Sequence, residues 1–282
     1  RNGLIWYSVF GVGLNALSSN NAQFEQFNLT NLFKSDNLFP SISGIFEDET
    51  GTVWLGIKSL GLALFDRNER KITLHNNHPI LRKISEKANS FYSFHKTKLT
   101  NELWLGSRYD GLYSVRFIDG KISSISHLYI PDIDIKNQGI KDMVEVNGTI
   151  WLATTKGLFA ARWNGVNEYL FVNMGMIQQK FNEKEINTLI VDNVGTLWVG
   201  THNEGLFAIR FKDDNKVIID EYSHSNKRLN NNEVLCLLQD FRNRIWVGTK
   251  GGGLSLLDTM ENRFNIIDNM NLLPDDAIYS ME

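Results

Sequence analysis

The sequence predicts an all-β fold in which one unit of four short antiparallel strands is repeated six times. Two features of the 282 residues support this prediction. A Gly-Leu pair follows each of six tryptophans after seven residues, or after six in one case. These tryptophans recur at intervals of 48, 50, 47, 47 and 48 residues; they are Trp6, Trp54, Trp104, Trp151, Trp198 and Trp246. A period of this length with four strand-like segments indicates a β-propeller of four-stranded blades.

The unit is clearest in the fifth repeat, whose four strands we call a to d. Strand a, Ile186–Val191, is apolar and leads through an acidic turn to strand b around Trp198. The polar turn Thr201–Glu204 then leads to strand c, Leu206–Phe211, and strand d is Val217–Tyr222. Short apolar runs separated by turn residues are typical of β-strands.

The same reading gives strands in every repeat. In the first they are Leu4–Val9, Leu14–Leu17 and Phe24–Phe27; in the second Ile42–Glu47, Thr52–Ile57, Leu62–Arg67 and Lys71–Asn76; in the third Phe91–Phe94, Leu103–Ser107, Leu112–Phe117 and Lys121–Leu128; in the fourth Ile140–Val146, Thr149–Thr154, Leu158–Trp163 and Glu168–Asn173; in the sixth Glu233–Gln239, Arg244–Thr249, Leu254–Asp258 and Asn262–Asp268.

Details of the repeat support these strands. Strand a is apolar on both faces in several copies, as expected where sheets pack on both sides. The glycine two residues after the tryptophan suits close approach of a neighbouring backbone. Asp48, Asp192 and Asp240 begin the a–b turns, where a carboxylate can accept hydrogen bonds from nearby amides.

The repeats predict a single domain over residues 1–282. Its repeats span approximately 1–40 plus 276–282, 41–89, 90–138, 139–184, 185–232 and 233–275. The first repeat lacks its strand a, and Asp276–Glu282 resembles one, so the two ends are expected to pair and close a six-bladed ring. Part of a seven-bladed, tandem or longer array is the alternative.

Composition narrows the function classes. The formal net charge is −3, which predicts neither a nucleic-acid nor an anionic-membrane partner. The sequence contains no apolar run long enough to span a bilayer. Cys236 is the sole cysteine and lies in an apolar run, which favours a buried thiol in the cytosol or a Gram-negative periplasm. Arg1 begins inside a repeat and no signal peptide is visible, which indicates an excised domain.

At the level of motifs, the repeats resemble the two-component regulator propeller family. The segments EDETGTVWLGIKSLGL (47–62), DNVGTLWVGTHNEGL (192–206) and QDFRNRIWVGTKGGGL (239–254) carry the resemblance. It implies the periplasmic sensor region of a Bacteroidetes hybrid two-component protein that senses carbohydrate fragments, followed in the whole protein by a membrane helix, a histidine kinase and a DNA-binding regulator. It further implies contacts with other domains of that protein and a homodimer at full length.

The b–c turns and the d–a connections are expected to share one face of the blades. Carbohydrate recognition needs planar hydrogen-bonding groups and an aromatic ring. The residues on this face that offer such groups, and that we predict to bind an oligosaccharide, are Arg108, Tyr109, Asp110, His202, Asn203, Glu204 and Lys250. Each of them could instead be an ordinary solvated turn residue.

No cofactor, metal site or catalytic residue is predicted. His75 and His78 form the only close histidine pair and have no acidic or cysteine companion. The leading hypothesis is a non-enzymatic sensor module. The alternatives are a structural propeller that docks other domains, and a propeller lyase or glycosidase using His202 and Glu204.

Overall fold

The structure, a computed structural model, describes residues 4–9, 13–18, 24–27, 41–128, 139–166, 168–212, 216–258, 263–267, 277–279 and 281. These residues form an all-β fold with one short α-helix. Two compact units divide the chain, unit 1 (Arg1–Gly139) and unit 2 (Ile140–Glu282). Of the predicted closing segment, Asp276, Ser280 and Glu282 lie outside the described residues, as do residues 1–3.

Unit 1 contains three antiparallel sheets in which sequential strands pair. Sheet 1 is β1 (Leu4–Val9), β2 (Gly13–Ser18) and β3 (Phe24–Phe27); sheet 2 is β4 (Ile42–Glu47), β5 (Val53–Ile57), β6 (Gly61–Asp66) and β7 (Lys71–Leu74); sheet 3 is β8 (Phe91–Lys96), β9 (Leu103–Ser107), β10 (Leu112–Ile118) and β11 (Lys121–Leu128).

Unit 2 contains three sheets of the same meander topology. Sheet 4 is β12 (Ile140–Val146), β13 (Thr149–Thr154), β14 (Gly157–Trp163) and β15 (Tyr169–Val172), followed by the helix α1 (Met176–Phe181); sheet 5 is β16 (Ile186–Val191), β17 (Leu197–Thr201), β18 (Leu206–Phe211) and β19 (Val217–Tyr222); sheet 6 is β20 (Val234–Gln239), β21 (Ile245–Thr249), β22 (Leu254–Asp258) and β23 (Arg263–Ile267).

Each strand predicted between Leu4 and Asp268 is present among the described residues, with ends that move by two residues at most. The corrections concern the d–a connections. Strand d of sheet 2 ends at Leu74 because the chain turns there into a 3-10 turn, His75–Asn77. Helix α1 follows sheet 4, and its apolar residues Ile177 and Phe181 are buried in the core between sheets 4 and 5.

The first strand of each four-stranded sheet carries a bulge at the same place. The register of strand a shifts after its first residue in all five sheets, between Ile42 and Gly44, Phe91 and Ser93, Ile140 and Asp142, Ile186 and Thr188, and Val234 and Cys236. A bulge redirects the extra residue's side chain. In unit 2 that residue reaches the next sheet: Lys141 Nζ lies 2.7 Å from Asn187 Oδ1, and Asn187 Nδ2 donates to Val234 O at 2.9 Å.

Apolar side chains fill the spaces between successive sheets within each unit. Trp54 and Leu62 of sheet 2 pack with Phe91 and Leu103 of sheet 3, and all four are at most 1% exposed. The predicted role of the glycine after the tryptophan is confirmed at Gly56, where an added Cβ would lie 1.9 Å from the Phe91 carbonyl oxygen. Only hydrogen fits there, so the two sheets approach more closely than a side chain allows.

The acidic residues of the a–b turns do more than was predicted from sequence. In sheet 5, Asp192 Oδ1 accepts the backbone N–H groups of Val194 and Thr196 at 3.1 and 2.7 Å, as expected. Its Oδ2 also accepts the indole N–H of Trp198 at 2.9 Å, a bond that sequence reasoning missed. The spacing of six residues between the aspartate and the tryptophan could have shown it. Equivalent bonds join Trp54 to Asp48, Trp104 to Glu102 and Trp246 to Asp240, at 2.8, 3.4 and 2.9 Å.

The described part of the C-terminal tail packs beside sheet 6. Ala277 pairs with Lys250, and the N–H of Ile278 donates to Thr249 O at 3.1 Å. Ile278 side-chain atoms lie 2.8 Å from the position of a Cβ added to Gly248. Strand a of sheet 6 covers the equivalent glycine of sheet 5 in the same way, so the tail occupies the place of a following strand a.

Candidate functional site

The b–c turns, where most of the predicted ligand residues lie, are held in shape by a hydroxyl at the end of strand b. In unit 2, Thr201 Oγ1 donates to Gly205 O at 2.8 Å, and Thr249 Oγ1 donates to Gly253 O at 3.1 Å. Gly205 has a φ of +89°, which favours glycine over other residues. The Gly-Thr and Gly-Leu signatures therefore bracket a rigid turn whose intervening residues are presented outward.

In unit 1 the b–c turn of sheet 3 forms an aromatic and cationic surface. The guanidinium carbon of Arg108 lies 5.0 Å from the centre of the Tyr109 ring and 5.7 Å from that of Tyr92. Tyr109 is 53% exposed, whereas Tyr92 is half-buried. Burial raises the pKa of Tyr92 although the Arg108 charge opposes the rise, so its hydroxyl stays neutral. We call these three residues the Arg108 platform.

Asp110, predicted to contact ligand, is instead buried at 1% exposure. Its carboxylate accepts the Tyr113 hydroxyl at 2.5 Å, and its backbone N–H donates to Ser107 Oγ at 2.8 Å. The Tyr113 ring stacks on the His127 ring at a centroid distance of 4.5 Å. Asp110 therefore supports the turn that carries the Arg108 platform and is not itself presented on the surface.

In unit 2 a single carboxylate joins the predicted residues of sheets 5 and 6. Glu233 Oε1 lies 3.3 Å from His202 Nδ1 and 3.2 Å from Lys250 Nζ. Glu233 is the residue just before β20, and Glu185 holds the same place before β16, 48 residues earlier. Sequence reasoning missed both glutamates, although their recurrence at the repeat spacing was available as a signal.

The remaining predicted residues of unit 2 have separate surroundings. Glu204 forms an ion pair with Lys184, and Glu185 forms one with Lys141. Asn203, at the tip of the same turn as Glu204, is exposed. Ion pairs of alternating sign thus follow one edge of sheets 4 to 6, with carboxylates, amines, an amide and an imidazole within reach of a polar ligand. We call this edge the unit 2 polar edge.

The two closely spaced histidines serve the backbone of unit 1. His75 Nδ1 lies 3.1 Å from Leu62 O, and His78 Nδ1 accepts the N–H groups of Ile80 and Leu81 at 3.2 Å. Burial lowers the pKa of both imidazoles, more than offsetting the backbone contact at His75. Among the described residues no group of three potential metal-ligating side chains is found, and no helix has the length and apolarity needed to cross a membrane.

Comparison with known proteins finds a family match in segments of sheets 5 and 6. The model of the family described as "Two component regulator propeller" matches residues 180–203 and 228–251. These segments contain the strands a and b of sheets 5 and 6, together with the polar edge residues Glu185, His202 and Glu233. No curated protein sequence matches the chain.

Solved structures of low sequence identity share the fold. PorZ, a surface component of the type-IX secretion system of Porphyromonas gingivalis, has a TM-score of 0.61 at 16% identity, over 89% of this chain and 36% of its own. The β-propeller domain of a Myceliophteria thermophila protein has a TM-score of 0.61 at 9% identity, over 94% and 82%.

An extracellular domain named for a hybrid two-component system of B. thetaiotaomicron has a TM-score of 0.45 at 15% identity, over 94% of this chain and 40% of its own. This chain thus spans about two fifths of the length of the Porphyromonas gingivalis and B. thetaiotaomicron structures. The strand pattern, the propeller likeness and the family match agree. Two segments of the chain, one in sheet 5 and one in sheet 6, match the two-component regulator propeller family.

Proposed function

We propose that this chain is a periplasmic, ligand-sensing propeller module of a hybrid two-component signalling protein. The match of two of its repeats to the two-component regulator propeller model carries the proposal. In such a protein, ligand binding biases a signalling assembly only if the ligand prefers one of its two arrangements. The proposed partners are an oligosaccharide, other domains of the same protein and a second copy of the full-length chain, with no direct contact to nucleic acid.

The Arg108 platform supports an oligosaccharide as the ligand. A sugar ring has one apolar face, which an exposed aromatic ring such as Tyr109 can cover. The guanidinium of Arg108 offers several N–H donors in a fixed plane for neighbouring hydroxyl groups. Its two ring contacts hold that plane beside Tyr109, so less conformational freedom is lost on binding.

The polar edge of unit 2 offers a second set of contacts of the same class. His202 Nδ1 and Lys250 Nζ each lie within 3.3 Å of Glu233 Oε1, so a ligand hydroxyl could replace either contact. A ligand that bound here would exchange one polar contact for another, so the net gain in free energy would be small. The unit 2 polar edge could therefore accept different polar ligands but would discriminate weakly among them.

Calorimetry against a panel of glycan fragments tests the proposal. We expect binding by at least one fragment, weakened about tenfold by Tyr109→Ala because one stacking contact is lost. Phe241→Ala is the matched control, since Phe241 is 88% exposed and lies 5.3 Å from the Arg242 guanidinium at an a–b turn. Folded protein that binds nothing across the panel would favour a structural propeller that docks other domains.

We further propose that the module itself is not an enzyme. A lyase or glycosidase would use His202 and Glu204 as an acid–base pair, but in unit 2 each contacts another partner, Glu233 and Lys184 respectively. A general base must reach the proton that it removes. Turnover of a glycan that is abolished by Glu204→Gln and kept by Phe241→Ala would overturn this proposal.

We also propose that the chain forms one domain of six blades that closes by pairing its tail with sheet 1. The position of Ala277 and Ile278 beside sheet 6 supports it, because Ile278 contacts Gly248 as Val234 contacts Gly200 in sheet 5. Spin labels at residues 8 and 279 test it: paired strands lie about 5 Å apart. A long distance between the labels would indicate a longer array of repeats instead.

A further inference from the structure

One repeat tryptophan of unit 2 lacks the carboxylate that its counterparts contact. Trp151 is 1% exposed, and its Nε1 is buried with no hydrogen-bond partner among the residues that the structure describes. The a–b turn of sheet 4 is the two-residue connection Asn147-Gly148, which contains no acidic residue. A buried N–H without a partner costs free energy, so its presence here calls for a physical reason.

Sheet 3 shows what is missing. There Glu102 is 6% exposed, and its carboxylate accepts bonds from three side chains. Arg116 Nε donates at 2.6 Å, Ser114 Oγ at 2.7 Å and Trp104 Nε1 at 3.4 Å. Two of the three donors come from strand c, where Ser114 pairs with Trp104 and Arg116 lies two residues further along.

Sheet 4 keeps two of these donors and omits the acceptor. Trp151 pairs with Ala160 and Thr149 pairs with Arg162, so Arg162 takes the place of the sheet 3 arginine. Thr149 stands where sheet 3 has glutamate. Arg162 Nε donates to Thr149 Oγ1 at 2.8 Å, and no described carboxylate lies within ion-pair distance of this guanidinium.

Thr149, Trp151 and Arg162 line a cavity of about 360 Å³ within unit 2. Ile177 of α1 and Phe211 of β18 supply apolar walls, with the Phe211 ring 5.8 Å from the Trp151 ring. Lys212 and Lys216 add positive charge to the lining. A cavity of this size can hold a small organic molecule.

We propose that this cavity binds a small organic carboxylate with an apolar body. Its carboxylate takes the place that Glu102 holds in sheet 3, between the Trp151 N–H and the Arg162 guanidinium, while its body contacts Ile177 and Phe211. The site is distinct from the Arg108 platform and from the polar edge, so it adds a second ligand class to the module.

Arg162 controls access to the indole. Trp151 Nε1 is itself covered, so the ligand must displace a covering side chain to reach it. Of the three residues that would surround the carboxylate, Thr149 and Trp151 are buried and Arg162 is exposed. Arg162 can therefore swing outward and close over the bound carboxylate, as Arg116 covers Glu102.

Titration with benzoate, followed through the indole N–H resonances in a ¹⁵N-labelled protein, tests the proposal. We expect a downfield shift of the Trp151 resonance alone, because a carboxylate is a stronger acceptor than anything beside it now. Benzamide, which has the same shape without the charge, is expected to shift it much less. An unmoved Trp151 resonance, or equal shifts with both probes, would mean that only water occupies the cavity and would overturn the proposal.

Substitution at Thr149 provides a second test. Thr149→Glu restores the acceptor of sheet 3, so the Trp151 resonance should move downfield without ligand and benzoate binding should weaken about tenfold or more. Thr149→Gln is the matched neutral variant, and a smaller change is expected. If benzoate still bound to both folded single variants, Thr149→Glu and Arg162→Gln, the ligand would have to bind elsewhere and the proposal would be wrong.

Discussion

Removal of the Asp192 carboxylate should destabilise unit 2 by about 3 to 5 kcal/mol. Asp192 is 6% exposed and accepts three hydrogen bonds, from Val194 N, Thr196 N and Trp198 Nε1. In Asp192→Ala the donors on Thr196 and Trp198, which are both buried, lose their partner. Each buried donor left unpaired costs about 1 to 3 kcal/mol, and the turn donor at Val194 adds less because water can reach it.

Urea unfolding followed by tryptophan fluorescence measures this cost. Asp192→Asn should lose less, about 2 kcal/mol, because its oxygen can still serve the turn while its NH₂ group opposes the indole N–H. Asp66→Ala is the control: Asp66 also accepts two backbone N–H groups, at 2.8 and 3.0 Å, but it is exposed and contacts no tryptophan. Asp66→Ala should lower the free energy of unfolding by only about 0.5 to 1 kcal/mol.

The differences in unfolding free energy among these variants test whether the indole hydrogen bond stabilises unit 2. Equal losses for Asp192→Ala and Asp66→Ala would show that the indole bond adds nothing to the turn. An unchanged indole resonance of Trp198 in Asp192→Ala would show that the hydrogen bond is absent in solution.

Three further predictions concern other parts of the two units. Burial raises the pKa of Asp142 to about 6 from an ordinary value of 3.8. The folded state is therefore most stabilised by protonated Asp142 below about pH 4, and it loses this stabilisation as the pH rises through 6. Carboxyl NMR and unfolding measured across this pH range test the prediction, and a pKa near 4 would contradict it. Gly56→Ala places a methyl group 1.9 Å from a backbone oxygen and should lower the free energy of unfolding by about 3 kcal/mol or more. Gly195→Ala should lower it by about 1 kcal/mol, because the only penalty there is the positive φ. Equal urea midpoints for the two variants would refute the close approach at Gly56. Burial raises the pKa of the Cys236 thiol to about 11, and the Cys236 Sγ contacts the C-terminal tail at Ile278 O. Cys236 should therefore react with Ellman's reagent only slowly, and faster once residues 276–282 are deleted. A fast reaction in the intact chain would contradict the packing of the tail.

Much of the fold could be predicted because the repeat is local. The tryptophan period, the turn residues and the apolar alternation each depend on neighbours in sequence, and these signals placed all the described strands. The closely packed Gly56 and the acidic a–b turns were predictable for the same reason. The short helix α1 was not predicted, because six residues carry too little periodicity, and burial of Ile177 and Phe181 decides its conformation.

The candidate site depended more on tertiary structure. The residue types of Arg108 and Tyr109 indicated ligand recognition. The burial of Asp110 could not be predicted, because the Tyr113 ring that bonds to it is held against His127 of the paired strand. The link from His202 through Glu233 to Lys250 joins turns of two sheets.

By itself the sequence determined the strand order, the repeat unit and the resemblance of its motifs to a known family, because these are properties of adjacent residues. Tertiary structure alone decided which polar side chains meet, and it revealed the indole of Trp151 beside a cavity without an acid. The missing acceptor becomes significant only in the folded chain, because packing buries the indole N–H and forms the cavity beside it.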